Sequence, residues 1–401
     1  MAPMYIQTIS LRHFRTYARL ELELPPAPVL LLGGNAQGKT SLLEAMAYLA
    51  TGRSPLTTTE RHLVNWGAVE AGMPFAAVSA EVVRTDRRER IEIALQRMPT
   101  AQGGERLAKK IRLDGRAIRR ADLAGHLNVV LFLPEDVALV GGPPAGRRRH
   151  LDDLLAQVSA DYVRALGRYQ TALSRRNALL RHLRDEGGDA GQLLPLEAVL
   201  AETGVLISLH RRRLLRRLTR LADRYHQEIT GGEWLRLRYE PNFDPLRPPD
   251  RTAQPALLDE VESEPGREAL VAAYHRRFEA ERRREIQRGA TLVGPHRDEV
   301  RFIAQAVDLG TFGSRGQQRS AVLALRMAEL DWLRETTGEA PVLLLDEVLA
   351  ELDAARRERL LALLGRVEQT ILATTDAEMF PSAFRQQALR LRVEGGIVTP
   401  L

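Results

Sequence analysis

The chain has 401 residues, 44% hydrophobic and 27% charged, with no cysteine and a formal net charge of +6. That is enough for two or three domains with soluble cores, and it excludes a disulfide framework, thiolate catalysis and a cysteine-ligated zinc site. No uninterrupted apolar run approaches the roughly eighteen residues of a membrane span, the first residues lack a signal-peptide pattern, and the chain reads as cytoplasmic.

Alternation over residues 4–32 predicts two strands around Leu11-Arg12-His13-Phe14-Arg15-Thr16-Tyr17, the second ending at 29–32. Gly33-Gly34-Asn35-Ala36-Gln37-Gly38-Lys39-Thr40 follows at once, a complete G-x-x-x-x-G-K-[ST] phosphate loop, and residues 41–49 then have helical spacing. Antiparallel strands are expected over 75–95 and 111–118, with a turn at Gln102-Gly103-Gly104. After Pro134 the texture changes. Residues 147–183 and 193–229 read as long helices separated by a glycine-rich break at 187–191, which makes an antiparallel hairpin. Residues 241–255 read as a surface loop, about 264–288 as another charged helix, and the last hundred residues return to strand–helix alternation.

Chemistry concentrates at the two ends of the chain. In the phosphate loop, glycines let successive backbone N–H groups face phosphate, and the following helix adds its positive N-terminus. Lysine occurs only at Lys39, Lys109 and Lys110 in an arginine-rich chain, so Lys39 stands where the loop requires a compact cation. Thr40 would complete a Mg²⁺ shell. Val342-Leu343-Leu344-Leu345-Asp346-Glu347 reads as a buried strand ending in two carboxylates, with Asp346 holding Mg²⁺ through water and Glu347 orienting or deprotonating attacking water. Leu352-Asp353 follow, leading into a helix near Ala354.

Ser314, Gly316 and Gln317 open another helix, either as a plain N-cap or as a second anion-binding device. One molecule has no use for two such devices on the same γ-phosphate, so the second reading predicts a head-to-tail dimer. Arg147-Arg148-Arg149, Arg211-Arg212-Arg213 and Arg282-Arg283-Arg284 are candidates for DNA-backbone contact or solvated helix faces. His296 reads as a turn or packing residue or as a catalytic or metal-binding one. Arg12 and Arg15 either reach the nucleotide or face solvent.

These residues resemble the ABC-type ATPases of the SMC and Rad50 group and, more narrowly, the RecF family of bacterial recombination mediators. The likeness also rests on Pro134-Glu135-Asp136, on Arg147-Arg148-Arg149 before Leu151-Asp152, on Arg175-Arg176-Asn177 and on Thr291-Leu292-Val293-Gly294-Pro295-His296-Arg297-Asp298. It implies an α/β fold: a P-loop ATPase head whose lobe I is residues 1–133 plus 290–401, with an inserted helical lobe II at 134–289. Residues 33–40 become Walker A, Asp346-Glu347 Walker B, residues 314–317 the signature and Asp353 the D-loop.

The resemblance further implies ATP and Mg²⁺ as cofactors and an ATP-dependent homodimer. That dimer would clamp DNA at gaps or single-strand/double-strand junctions in replication, recombinational repair and the SOS response. RecR and RecO would be partners in loading RecA, and weak ATP hydrolysis would act as a switch. Three departures stand out. Arg315 replaces a usual glycine, Thr374-Thr375-Asp376 supply no switch histidine, and Pro134-Glu135-Asp136 stand where a Q-loop glutamine is expected. A nuclease-coupled ATPase would call for an acidic metal-binding domain after the strand that ends in Asp346-Glu347, a transporter ATPase would lack the long insertion, and a small-molecule kinase would act as a monomer.

Overall fold

The computed structural model describes residues 4–99, 105–246, 266–348, 357 and 367–401. The expected turn at 102–104, much of the loop at 241–255, and Asp353 with the helix expected near Ala354 lie outside the described residues.

Residues 4–32 form three strands where two are expected from the sequence. β1 (Tyr5–Phe14) turns tightly into β2 (Tyr17–Glu23), and β3 (Val29–Leu32) joins another sheet. The physical reason is Pro25-Pro26: proline donates no ladder hydrogen bond, so the strand must end there. After β3 come α1 (Lys39–Thr51), the short α2 (Trp66–Glu70), and the strands β4 (Phe75–Val83), β5 (Arg88–Pro99), β6 (Glu105–Leu113) and β7 (Arg116–Ile118). The antiparallel sheet runs β2-β1-β4-β5-β6-β7.

A second sheet gathers β3 with β8 (Val129–Phe132), β12 (Val342–Asp346), β13 (Thr370–Thr374), β14 (Leu389–Glu394) and β15 (Ile397–Pro400). Its order among the described residues is β15-β14-β3-β13-β12-β8, parallel except for β15. Strands that are buried on both faces read as continuous apolar runs, as β8, β12 and β13 do. Between the two sheets lies α1, buried on nearly all sides, with Leu42, Leu43, Met46, Tyr48 and Leu49 wholly covered.

The period of two sorts alternate residues of the parallel strands onto opposite faces. Val29, Leu31, Leu344 and Ile371 join the core around α1, whereas Leu30, Phe132, Leu343 and Leu345 face a layer of helices. That layer contains α3 (Ala138–Gly141), α4 (Pro144–Ala156), α5 (Ala160–Glu186), α6 (Leu194–Thr230), α7 (Arg267–Arg288), α8 (Leu309–Phe312) and α9 (Arg315–Thr337). A three-stranded sheet, β11-β10-β9, lies against it: β9 (Leu235–Glu240), β10 (Glu299–Ala304) and β11 (Val307–Asp308). The helices and the parallel sheet therefore share one core.

The expected single helix over 147–183 is two. α4 ends at Ala156, and α5 restarts under Ser159, whose hydroxyl accepts from the Tyr162 N–H at 3.2 Å. α6 has 37 residues, roughly 55 Å of helix at about 1.5 Å per residue. It packs on α5, as the predicted hairpin requires, and also on α9 and β9. By length and composition, residues 190–230 form the one stretch of helix, among the described residues, apolar enough to cross a membrane; its apolar side is occupied by α5, α9 and β9.

Candidate nucleotide site

The loop between β3 and α1 is braced from two sides. Gly38 has φ +115°, and a Cβ there would stand 2.8 Å from Thr16 Oγ1. Tyr17 closes the same contact by donating its hydroxyl to the Gly38 carbonyl at 3.0 Å. A Cβ on Gly33 would lie 2.2 Å from the Val393 carbonyl oxygen, so that position has no room for any side chain. The β14–β15 turn completes the support: Gly396 N–H donates to the Gln37 carbonyl at 3.0 Å and Gly395 N–H to Gln37 Oε1 at 2.8 Å. Tyr17, Gly395 and Gly396 were not singled out for any such role from the sequence. The β1–β2 corner carried a signal for Tyr17, but contacts across more than 350 residues leave none.

Lys39, only 5% exposed, donates to the carbonyls of Gly33 (2.6 Å) and Gly34 (2.9 Å) and lies 3.3 Å from Glu347 Oε1. Thr40 donates its hydroxyl to Asp346 Oδ2 at 2.5 Å. The other oxygen, Asp346 Oδ1, is buried with no hydrogen-bond partner. Burial pushes the Asp346 carboxyl above its usual range, opposed by the Thr40 hydrogen bond and reinforced by the charges of Glu347 and, more weakly, Glu135. A hydroxyl beside a carboxylate oxygen with an unfilled lone pair is a hard-oxygen donor set, and it fits Mg²⁺.

Glu347 has φ +48°, a left-handed conformation uncommon for a side chain of its size. Its N–H donates to the Ala373 carbonyl at 2.9 Å, and its Oε2 accepts from the Thr375 N–H at 3.4 Å. The segment after β13, which lacks a switch histidine, thus touches Glu347 through a backbone amide. An amide can orient a carboxylate but cannot exchange a proton with it at neutral pH. Pro134-Glu135-Asp136 follow β8 at the sheet edge, where Asp136 is tied to Arg326 of α9 at 2.7 Å.

Ser314 caps α9 reciprocally with Gln317: its hydroxyl accepts from Gln317 N–H at 3.3 Å, and Gln317 Oε1 accepts from Ser314 N–H at 2.9 Å. Ser314, Arg315 and Gln317 are exposed, with Gly316 half-buried between them. Arg15 does not face solvent: its guanidinium makes a two-pronged contact of 2.7 and 2.8 Å with the buried Glu44, while Arg12 is exposed.

The chain matches the RecF/RecN/SMC N-terminal domain family over residues 5–399. It is 44% identical to the DNA replication and repair protein RecF of Chloroflexus aurantiacus, covering 98% of this chain and 99% of that protein. The chain belongs to the RecF family. The RecF of Herpetosiphon aurantiacus is 40% identical over 99% of this chain and all of its own length. A solved structure of the recombination mediator protein RecF with ATP superposes at a TM-score of 0.83, with 28% identity, covering all of this chain and 98% of that one. The Smc head domain of Pyrococcus yayanosii shares the fold at a TM-score of 0.52. Family membership accounts for the α/β ATPase head with its inserted helices.

The arginine clusters divide. Arg211 is 2% exposed, bonded to Asp152 at 2.7 Å and Asp298 at 3.3 Å, so its expected DNA contact is corrected: a guanidinium enclosed by two carboxylates cannot reach a phosphate backbone. Arg147 is held by Glu299 at 2.7 and 2.8 Å and by three backbone carbonyls, and Arg212 by Asp244 at 2.7 Å. Arg148 and Arg149 turn into a cavity between the layers. Arg213 is exposed on α6. Arg282 bonds the buried Glu197 at 2.7 Å, and Arg284 lies 3.5 Å from Glu281.

His296 is a packing residue. Thr291 O can only accept, so Nε2 carries the proton (3.2 Å), and Nδ1 accepts from the Tyr169 hydroxyl at 2.6 Å. Burial pushes its pKa down to about 4. Gly294 permits this contact, since a Cβ there would be 2.3 Å from the Tyr169 hydroxyl.

Proposed function

We propose that the chain is an ATP-dependent DNA-binding protein of replication and recombinational repair, working as a dimeric clamp. The observation that carries the reading is the unpartnered Asp346 oxygen beside Thr40, at the mouth of a braced phosphate loop. The relatives' name, DNA replication and repair protein RecF, supports the cellular role. In this reading residues 33–40 cradle the phosphates of ATP, Lys39 exchanges its loop carbonyls and Glu347 for phosphate oxygens, and Thr40 with Asp346 holds Mg²⁺. When bound, Mg²⁺ supplies charge neutralisation at the phosphates. Glu347, released by Lys39 and steadied by the Thr375 amide, orients the attacking water. The backbone contact in place of a switch histidine suits slow turnover, a switch more than an engine.

Ser314 and Gln317, exposed at the start of a long helix with Gly316 half-buried between them, reach the nucleotide of a second copy, and Asp353 takes the D-loop role. The lobes divide as 1–133 with 290–401, and 134–289, although α9 packs with the inserted helices. DNA at gaps or single-strand/double-strand junctions is the substrate, RecR and RecO are the partners, loading of RecA is the outcome, and the SOS response is the setting. DNA contact falls to exposed residues such as Arg213, with Arg211 excluded. The division between lobes and these finer roles extend the family's name.

Binding of a gapped duplex with and without Mg²⁺-ATP tests the clamp. ATP should tighten binding at least tenfold in the wild type. Lys39→Met should lose that gain together with nucleotide, and Ser314→Arg should lose it while still binding ATP. Equal DNA affinity in all three proteins would overturn the clamp.

A further inference from the structure

The cavity into which Arg148 and Arg149 turn, between the sheet layers and the helices, has about 800 Å³ and is lined by no residue of the nucleotide site. The segment following α1, with Lys109 and Arg120, forms one wall, and α4, α5 and α6 form the other. Six cationic side chains line it against the carboxylates Glu60 and Asp152. Both acids are engaged, Glu60 with Lys109 at 2.5 Å and Asp152 with Arg211 at 2.7 Å. Arg149 stands 3.6 Å from Asp153.

Three guanidiniums remain without an ion pair among the described residues. Arg148 bonds the Asp298 carbonyl at 2.7 Å, and Arg53 reaches Gln170 at 3.4 Å. Arg120 donates Nε to the Thr51 carbonyl at 2.8 Å, leaving Nη2 buried and unpartnered. Burial, with the charge of Arg53 second, pulls Arg120 down to about 10, and burial likewise lowers Arg148. Desolvating like charges together costs free energy that a bound anion offsets. The remaining wall is apolar: Leu166, Tyr169, Leu173 and Ile207.

We infer that this cavity binds a small phosphorylated molecule, its phosphates on Arg53, Arg120 and Arg148 and its apolar part against Tyr169 and Leu173. Its volume falls in the range of small-molecule sites, about 300–1,000 Å³. The inference does not depend on the clamp. Three unpaired guanidiniums make phosphate a better occupant than a carboxylate, because each phosphate offers several oxygens to planar donor forks.

The test is calorimetric titration of inorganic pyrophosphate, without Mg²⁺, into full-length Lys39→Met protein, whose phosphate loop is disabled. One pyrophosphate should bind per chain, with affinity falling at least tenfold when Arg120→Gln or Arg148→Gln is added. Arg175→Gln, the same charge change at an exposed position on α5, should leave it within twofold. Retained thermal unfolding midpoints exclude loss of fold as the cause. The inference is overturned if the Lys39→Met protein binds no pyrophosphate, if Arg175→Gln weakens binding as much as Arg120→Gln, or if a gapped duplex displaces the pyrophosphate.

Discussion

The nucleotide site and the interior of the helical layer both bury charge, and they treat it in opposite ways. In the helical layer Arg176, wholly buried, meets two opposite charges: its terminal nitrogens bond Glu285 at 2.6 Å, Glu197 at 2.7 Å and Thr291 at 2.9 Å, with Phe278 under the guanidinium and only Nε left without a partner. Arg211 is enclosed in the same manner by Asp152 and Asp298. In the nucleotide site Asp346 keeps one buried oxygen without a partner, and Lys39 leans on carbonyls of its own loop. A buried charge enclosed by opposite charges of the protein is part of the framework, whereas Asp346, whose one hydrogen bond comes from a neutral hydroxyl, is open to a cation.

The sharpest break in that contrast is Arg176→Met, which strands Glu285 and half-strands Glu197 in the core. It should cost about 3–5 kcal/mol in urea unfolding, and a loss below about 1 kcal/mol would place Arg176 outside the framework. His296 comes next. Its folded pKa, about 4, lies below the unfolded value of 6.5, so above pH 6.5 both states are neutral and nothing is lost. As pH falls from 6.5 to 4 the unfolded chain takes up a proton that the folded chain refuses, and stability drops by about 2–3 kcal/mol. Unfolding of wild type and His296→Gln across that window should show the slope shallower in the variant.

A smaller effect is expected at the phosphate loop, where Gly38→Ala forces a left-handed φ and crowds Thr16. About 1–2 kcal/mol of stability should go, with nucleotide affinity falling alongside. Smallest, and of opposite sign, is Asp346→Asn. Because burial raises the Asp346 pKa, the fold favours its uncharged form, and the amide oxygen can still accept from Thr40. Thermal unfolding without ligand should be unchanged or stabilised by up to about 1 kcal/mol, while Mg²⁺-dependent nucleotide binding falls at least tenfold. A variant that unfolds as readily as Arg176→Met would erase the distinction.

The sequence carried the phosphate loop and the acidic strand end because each is contiguous and its chemistry demands particular residue types in order. Arg211 was misjudged for a legible reason. In the run Arg211-Arg212-Arg213 all three look alike, yet Arg211 falls in register with Ile207, Leu214 and Leu218, the covered side of α6. Arg176 likewise continues the spacing of Tyr169, Ala172 and Leu180. A charged residue on an apolar helical stripe is a candidate for a buried pair, and reading periodicity before charge would have separated it from its neighbours. The brace of Gly395 and Gly396 on Gln37 was beyond reach, since nothing local marks which distant turn meets the loop.

β3, which launches the phosphate loop, has β13 and β14 as its neighbours, and Ile6 exchanges hydrogen bonds with Gln369, 363 residues away. On the ribosome, at about 5–20 residues per second, the loop's strand waits tens of seconds with both edges bare. Bare strand edges recruit wrong partners, so β3 stays open to mispairing until β13 and β14 are made. Closing such distant contacts also makes refolding slow. A ribosome stalled before β13 would present a phosphate loop braced by Tyr17 alone, its own strand β3 lacking both neighbours.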